Sequence, residues 1–167
     1  EGRAKLTAAL ASMSDAVFIA DSTGRFIDFN DAFVTFHRFA SKAECERALE
    51  SYPALFEVFL PDGSPVPPEQ WAISRAFNGE TEVSAEYWIR RKDTGEFWYG
   101  SFSFSPIREE SGAIAGAVVV ARDVTREKHA RETLLEAEER FAATFQFSPA
   151  ATALTTLEDG FRILDVN

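Results

Sequence analysis

The chain carries one cysteine, one methionine and two histidines in 167 residues. A single thiol, Cys45, excludes an internal disulfide and suits a reducing compartment. Two histidines, His37 and His129, are too few for a metal cluster and a poor start for a Ser-His-Asp arrangement, so neither a metal site nor a catalytic residue is expected. No apolar run approaches the roughly 18 residues that span a bilayer, and no signal peptide is visible. A cytoplasmic location is expected, with any membrane segment outside this chain and no direct membrane contact within it. Basic residues are also scarce: 17 Lys and Arg face 27 Asp and Glu, for a net charge of −10. That balance speaks against nucleic acid and anionic membrane as partners. The triplet Arg90-Arg91-Lys92 reads as a solvated strand end. The chain does not begin with Met and reads as a piece of something longer.

Aromatic residues are abundant instead. Sixteen phenylalanines imply an interior rich in rings, or a cavity walled by them. Between Phe97 and Ile107, Phe102 and Phe104 alternate with Ser101, Ser103 and Ser105. That period of two puts rings on one face of a half-buried strand and hydroxyls on the other. Thr94-Gly95 before it and Glu110-Ser111-Gly112 after it are turns. Val83 to Arg90 and the apolar run Ile114 to Ala121 are the flanking strands, and Asp123-Val124-Thr125 ends the last one and starts a polar helix. Nearer the N-terminus, Ala16–Ala20 and Phe26–Phe29 form a strand pair around Asp21-Ser22-Thr23-Gly24. Asn30-Asp31 caps a short helix holding Phe33 and Phe36. Ser41 with Glu44 is a capping box for another, which places Cys45 in its first turns. Residues 38–66 read as short helices and loops broken by Pro53, Pro61, Gly63 and Pro65. A longer helix starts at Pro67-Pro68-Glu69 and ends at Gly79.

The pieces Arg91-Lys92-Asp93-Thr94-Gly95, Phe97-Trp98, Ser105-Pro106-Ile107-Arg108 and Arg122-Asp123-Val124-Thr125-Arg126-Glu127-Lys128, in this order, resemble the C-terminal half of a PAS domain. Asp21 to Phe33 is similar to the family's opening hairpin and its Asn-x-Ala-Phe helix start, and Arg75-Ala76-Phe77-Asn78-Gly79-Glu80 to the end of its long helix. One departure is Arg38, where many members have Gly before an aromatic residue. The resemblance implies an α+β fold with a five-stranded antiparallel sheet and helices on one face, flanked by linker helices at both ends.

Four segments follow. Residues 1–13 are a flanking helix with Leu6, Leu10 and Met13 at helical spacing, and residues 14–125 the PAS domain. Residues 126–146 are a charged linker helix in which Ala130, Leu134, Ala137 and Phe141 form a short heptad seam. In residues 147–167 the opening recurs: Phe26-Ile27-Asp28-Phe29-Asn30 reappears as Ile163-Leu164-Asp165-Val166-Asn167, and Ser14-Asp15-Ala16 as Ser148-Pro149-Ala150. That reads as the truncated start of a second PAS domain, too small to build a core. Leu6, Leu10, Leu134, Ala137 and Phe141 are the expected contacts of a homodimer.

Alternation assigns Phe18, Tyr87, Ile89, Phe102, Phe104, Val119 and Ala121 to the helix-covered face of the sheet. Phe36, Trp71 and Phe77 approach it from the helices. A pocket there suits a small apolar or aromatic ligand with Tyr87 as polar handle, and disfavours citrate-like anions. A filled core with no cofactor is the leading expectation. Noncovalent flavin stays open because it leaves little sequence trace. Covalent flavin is disfavoured, because Glu44-Cys45-Glu46-Arg47 lacks the photoactive motif. Haem is disfavoured as well, because Trp71 to Asn78 offers no histidine and His37 reads as hydrogen-bonded or exposed. Asp123 and Thr125 are assigned to signal transfer, with Thr125 capping the linker helix and Asp123 pairing with Arg90 or Arg91.

By resemblance, the chain is a sensory and dimerisation module that does no chemistry itself. It regulates an output domain beyond it, a histidine kinase or a cyclic-dinucleotide enzyme, through a downstream PAS domain. The alternatives are a ligand-free scaffold for protein interaction and a small cavity enzyme of cone-shaped α+β fold with a buried carboxylate base.

Overall fold

The five patterned runs become strands where their side-chain period puts them. They are β1 (Ala16–Asp21) and β2 (Phe26–Phe29), then three long strands over Glu82–Arg91, Phe97–Arg108 and Ile114–Asp123. Two short strands lie between the groups, β3 (Phe56–Phe59) and β4 (Pro65–Val66), so the long strands are β5, β6 and β7. This computed structural model describes residues 8–146, 153–156 and 162–166; Leu6 and Ser148-Pro149-Ala150 lie outside the described residues. The chain folds as two units that divide after Thr125.

All pairings in the first unit are antiparallel, in the order β2-β1-β7-β6-β5-β3-β4. The sheet is therefore seven strands wide, not the expected five. The stretch taken for loops supplies the difference: Phe56 pairs with Arg91 and Val58 with Ile89, which covers the edge of β5. Its prolines sit where they do no harm. Pro65 begins the outermost strand, where no ladder partner needs its missing N–H. The first and last long-range partners, β1 and β7, lie side by side from Ala16↔Ala121 to Asp21↔Gly116. Their approach is close at Gly116, where a Cβ would come within 2.4 Å of the Ala20 carbonyl oxygen.

Helices cover one face, as the α+β reading requires. They are α2 (Asp31–Phe36), α3 (Lys42–Ala48), α4 (Tyr52–Leu55) and α5 (Ala72–Phe77), while α1 (residues 8–12) precedes β1. Asn30 caps α2 and is itself buried. Its side-chain oxygen accepts from the amides of Phe33 (3.1 Å) and Val17 (2.9 Å), and its amide group donates to the carbonyls of Asp15 (2.9 Å) and Leu10 (3.1 Å). One side chain thus ties α1, β1 and α2 together with all its bonding capacity used. Ser41 caps α3 by accepting from Glu44 N–H at 3.1 Å. The helix expected from Pro67 is shorter than its pattern suggests. Pro68–Gln70 is a 3₁₀ turn, Trp71 is extended, and only Ala72–Phe77 is α-helical. The Trp71 indole N–H donates to the Val66 carbonyl at 2.9 Å, which holds the residue against the β3–β4 hairpin instead of in a helical turn.

The ends of α2 and α5 explain the departure at Arg38. Both helices close with the same pair of bonds, in which the N–H of the second residue past the cap reaches back five positions. These are Phe39 N–H to Val34 O (3.0 Å) and Glu80 N–H to Arg75 O (3.1 Å). The motif needs a left-handed residue just past the cap. Gly79 serves α5 at φ 86°, and Arg38 serves α2 at φ 60°. Glycine is the natural occupant, because a side chain there meets its own backbone. What Arg38 gains in return is a set of side-chain contacts, described below.

In the second unit α6 (Thr125–Gln146) is followed by an antiparallel pair, β8 (Ala153–Thr156) and β9 (Arg162–Val166). The β1–β2 and β8–β9 hairpins share a register fault. In the first, Ile19 pairs with Asp28 and Ala20 with Phe26, skipping Ile27. In the second, Leu154 pairs with Asp165 and Thr155 with Ile163, skipping Leu164. The repeated letters of the sequence therefore sit at matching rungs.

Candidate ligand cavity and signal-transfer site

Rings crowd the space between the helices and the sheet. His37, 1% exposed, has the rings of Phe33, Phe36, Tyr52 and Phe56 at centroid distances of 4.1, 4.9, 5.3 and 5.3 Å. Its Nδ1 lies 3.0 Å from the Phe33 carbonyl and its Nε2 2.5 Å from the Tyr52 hydroxyl. A carbonyl can only accept, so Nδ1 carries the proton and Nε2 accepts from Tyr52. Burial, the largest cause, pushes His37 down to about 3, and the nearby Arg38 and Arg91 charges act in the same direction. The ring is therefore neutral at ordinary pH, with both nitrogens engaged. Burial also pushes the Tyr52 phenol up. Neither group offers a charge to a ligand.

Below this pair is an inner cavity of about 30 Å³. That is room for one or two waters. Of the residues expected to line a pocket, Phe18, Trp71, Tyr87, Ile89 and Phe102 do so. The others stand behind the wall. Phe36 packs edge-on against Trp98 and Phe102, at 6.0 and 5.6 Å. Phe104 lies under the Arg75 guanidinium at 5.0 Å, Val119 and Ala121 are sealed within the sheet face, and Phe77 is half-buried at the end of α5. The Tyr87 hydroxyl accepts from Arg75 Nη1 at 3.0 Å and keeps its own proton to donate. Sequence reasoning missed Tyr52, Phe56, Val58, Ala72 and Ile73, and set His37 aside. Tyr52 and Phe56 come from an irregular stretch with no period to read. Across Tyr52, Trp71 and Ile73 lies an open cleft of about 700 Å³, which reaches Phe26, Phe29 and Pro53.

Cys45 is fully buried on α3 and does not line the cavity; burial pushes its thiol up to about 11. Among the described residues, no group of three or more His, Cys, Asp or Glu could hold a metal ion. No described helix is long and apolar enough to cross a membrane.

A second cluster forms where β7 ends. Asp123 Oδ1 accepts from the Thr125 amide (3.0 Å) and hydroxyl (2.5 Å), and the same hydroxyl accepts from Tyr99 N–H on β6 at 2.9 Å. Asp123 Oδ2 accepts from Arg38 Nη2 at 2.7 Å, and Arg38 Nε donates to Glu96 Oε1 at 2.7 Å. The Arg38 guanidinium also lies 4.5 Å above the Trp98 ring. Burial works to raise Asp123, but the bonds from Thr125 and Arg38 outweigh it and hold the carboxyl below its usual range.

Three expectations change here. Asp123 pairs with Arg38, not with Arg90 or Arg91. The Thr125 hydroxyl is bonded to the sheet, and it is Asp123 that takes the amide at the helix start. Arg91 is no solvated strand end: it is 6% exposed, bound to Asp93 (2.8 Å), Glu44 (2.9 Å) and the Arg38 carbonyl. Arg90 meets Glu57 at 3.4 Å. On α6, Leu134, Leu135 and Phe141 are exposed, together with Ala130 and Ala137, and Glu136 pairs with Arg140 at 3.9 Å.

Comparisons with known proteins fit this architecture. The family model of the PAS domain matches residues 14–126. Among solved structures, the chain is similar to an RNA-binding light-oxygen-voltage receptor, with 24% identity and a TM-score of 0.55 over 82% of this chain and 37% of that one. The chain thus spans little more than a third of that receptor. It is also similar to the PAS domain of nitrogen regulation protein NR(II) from Vibrio parahaemolyticus, at 16% identity and TM-score 0.50 over 71% of this chain and 96% of that one. The PAS domain of Bordetella pertussis BvgS follows at 14% and 0.49, covering 83% and 99%. No curated protein matches. The chain belongs to the PAS domain family.

Proposed function

We propose that this chain is a sensory and dimerisation module that does no chemistry itself and controls an output domain outside it, a histidine kinase or a cyclic-dinucleotide enzyme. The observation that carries this reading is the bonded chain from core to linker helix: Trp98 lies under Arg38, Arg38 holds Asp123, and Asp123 and Tyr99 hold Thr125, the first residue of α6. A change in ring packing around Trp98 shifts the guanidinium, and the guanidinium is bonded to the root of the helix. Two copies pair through the apolar residues that α6 leaves in water, and the matched register of the second hairpin supports a second PAS domain following the linker. The protein acts in the cytoplasm, without nucleic acid or membrane as a direct partner of this segment.

The signal is a small planar or apolar molecule that enters the ring-lined space, noncovalent flavin being the largest candidate. A ligand-free scaffold is the second reading, favoured by the inner cavity of only about 30 Å³. Native mass spectrometry with an absorbance spectrum tests both. A dimer of this chain with a retained small molecule supports the sensor, a dimer with none supports the scaffold, and a monomer at high micromolar concentration overturns the dimerisation part.

A further inference from the structure

We propose that the ligand of this pocket is a neutral, single-ring phenol, and that Tyr52 is a plug which such a ligand displaces from His37. The proposal rests on the sensory reading above and names the ligand class of the same pocket. The tyrosine, with Trp71 and Ile73, lines both the inner cavity of about 30 Å³ and the open cleft of about 700 Å³. Turning it outward joins them, and the cleft has ample room for the displaced ring. What is vacated is the volume of one aromatic ring plus that of one or two waters. A single ring fills that volume without reaching into the cleft.

Chemistry of the vacated site narrows the class further. Its wall is apolar at Phe18, Val58, Ile89 and Phe102, and the Tyr87 hydroxyl accepts from Arg75 while keeping its own proton to donate. The polar atom exposed by the displacement is His37 Nε2, an acceptor whose ring is fixed by the 3.0 Å bond from Nδ1 to the Phe33 carbonyl. A ligand without a donor leaves that nitrogen buried and unpaired. A carboxylate finds no countercharge there. A phenol replaces the Tyr52 hydroxyl bond for bond, so the tyrosine side chain already outlines the molecule that belongs in its place. The ring packs against Phe56 at 4.8 Å and Phe26 at 5.4 Å, but the backbone that carries it is short and uncapped. Tyr52 begins a four-residue helix that lacks a side-chain cap and follows a 3₁₀ turn over Leu49–Ser51.

The test titrates the 167-residue chain with 4-methylphenol, toluene and 4-methylbenzoate by calorimetry, in the wild type, Tyr52→Phe and His37→Phe. Near-ultraviolet circular dichroism of the three tryptophans confirms that each variant is folded. The wild type is expected to prefer 4-methylphenol over toluene by about tenfold, the worth of one net hydrogen bond, and to ignore the benzoate. In Tyr52→Phe both neutral probes tighten by about tenfold, because the plug has lost its own bond, and the preference stays. His37→Phe removes the preference. Equal affinity for the two neutral probes in wild type and Tyr52→Phe overturns the phenol assignment and leaves an apolar sensor pocket standing. Failure of folded Tyr52→Phe to bind either one at millimolar concentration overturns the pocket itself, and the scaffold reading takes its place.

Discussion

Arg38 and Asp123 stand 85 positions apart in the chain and meet at 2.7 Å, Nη2 to Oδ2. The arginine holds a left-handed backbone in a place made for glycine, and the aspartate belongs to the last strand before the linker helix. The pairing joins a local liability to a distant segment, and it can be taken apart by mutation.

Arg38→Gly removes the side-chain contacts but relieves the backbone, whereas Arg38→Ala removes the contacts and keeps the strain. The alanine variant should therefore be the less stable by about 1 kcal/mol. Urea unfolding of the two proteins side by side measures the difference. Equal midpoints would show that the left-handed conformation carries no cost here.

Asp123→Ala should leave the sheet folded and loosen the root of α6. An exposed ion pair is worth under about 1 kcal/mol and a cap-like bond about 1 kcal/mol, too little to unfold the domain. Hydrogen exchange at residues 125–129 should quicken while β6 and β7 keep their protection, and output in the longer protein should no longer follow the signal. Unchanged regulation, or global unfolding, would count against a transfer role for Asp123 and Thr125.

Stability should fall below neutral pH because of His37. Its folded pKa, about 3, lies below the ordinary value of 6.5, so the unfolded chain takes up the proton first. The contribution is present above about pH 6.5 and is lost as pH falls from there toward 3. Between pH 7 and about pH 5 the loss is roughly 2 kcal/mol, while most carboxylates remain ionised. His37→Phe should flatten the urea midpoint across that interval. A wild-type midpoint that is already flat there would refute the buried neutral ring.

Ala121→Phe distinguishes a cavity wall from a packed face. Ala121 is 1% exposed, lies between Ala16 and Phe102 on its neighbouring strands, and does not line the inner cavity. A phenylalanine there overfills the core, and a loss of about 1–3 kcal/mol is expected on thermal or urea unfolding. A variant as stable as the wild type would reveal space that the cavity does not account for.

Leu134→Glu should turn a dimer into a monomer. Leu134 is 60% exposed and Phe141 56%, and exposed apolar area costs about 25 cal/mol per Å². Light scattering across the micromolar range reads the change. A wild type that is monomeric throughout would remove the case for a seam on α6.

The long strands were legible because their period is enforced over many residues: Phe102 and Phe104 point one way and the serines between them the other, in the structure as in the sequence. The caps at Asn30 and Ser41 were legible because a short polar side chain before a helix has few other uses. The segment from Tyr52 to Val66 was not, since four-residue elements carry too little pattern and its prolines read as breaks. That loss hid the site, because Tyr52, Phe56 and Val58 all come from it. The partner of Asp123 was hidden for a different reason. Its choice among cations depends on a helix end folding back over Trp98, and only the position itself, an arginine in a glycine's place, marked Arg38 as unusual.

The adjacency of β1 and β7 bears on how the domain responds to being pulled. Ala16 faces Ala121, so the start of the first strand and the end of the last lie at the same end of an antiparallel pair. Tension applied through the segments preceding Ala16 and following Asp123 opens that ladder one rung after another, like a zipper, and never loads all its bonds at once. A domain with this geometry is mechanically soft along its own chain direction. It yields first at the Ala16–Ala121 rung, beside the residues that root the linker helix.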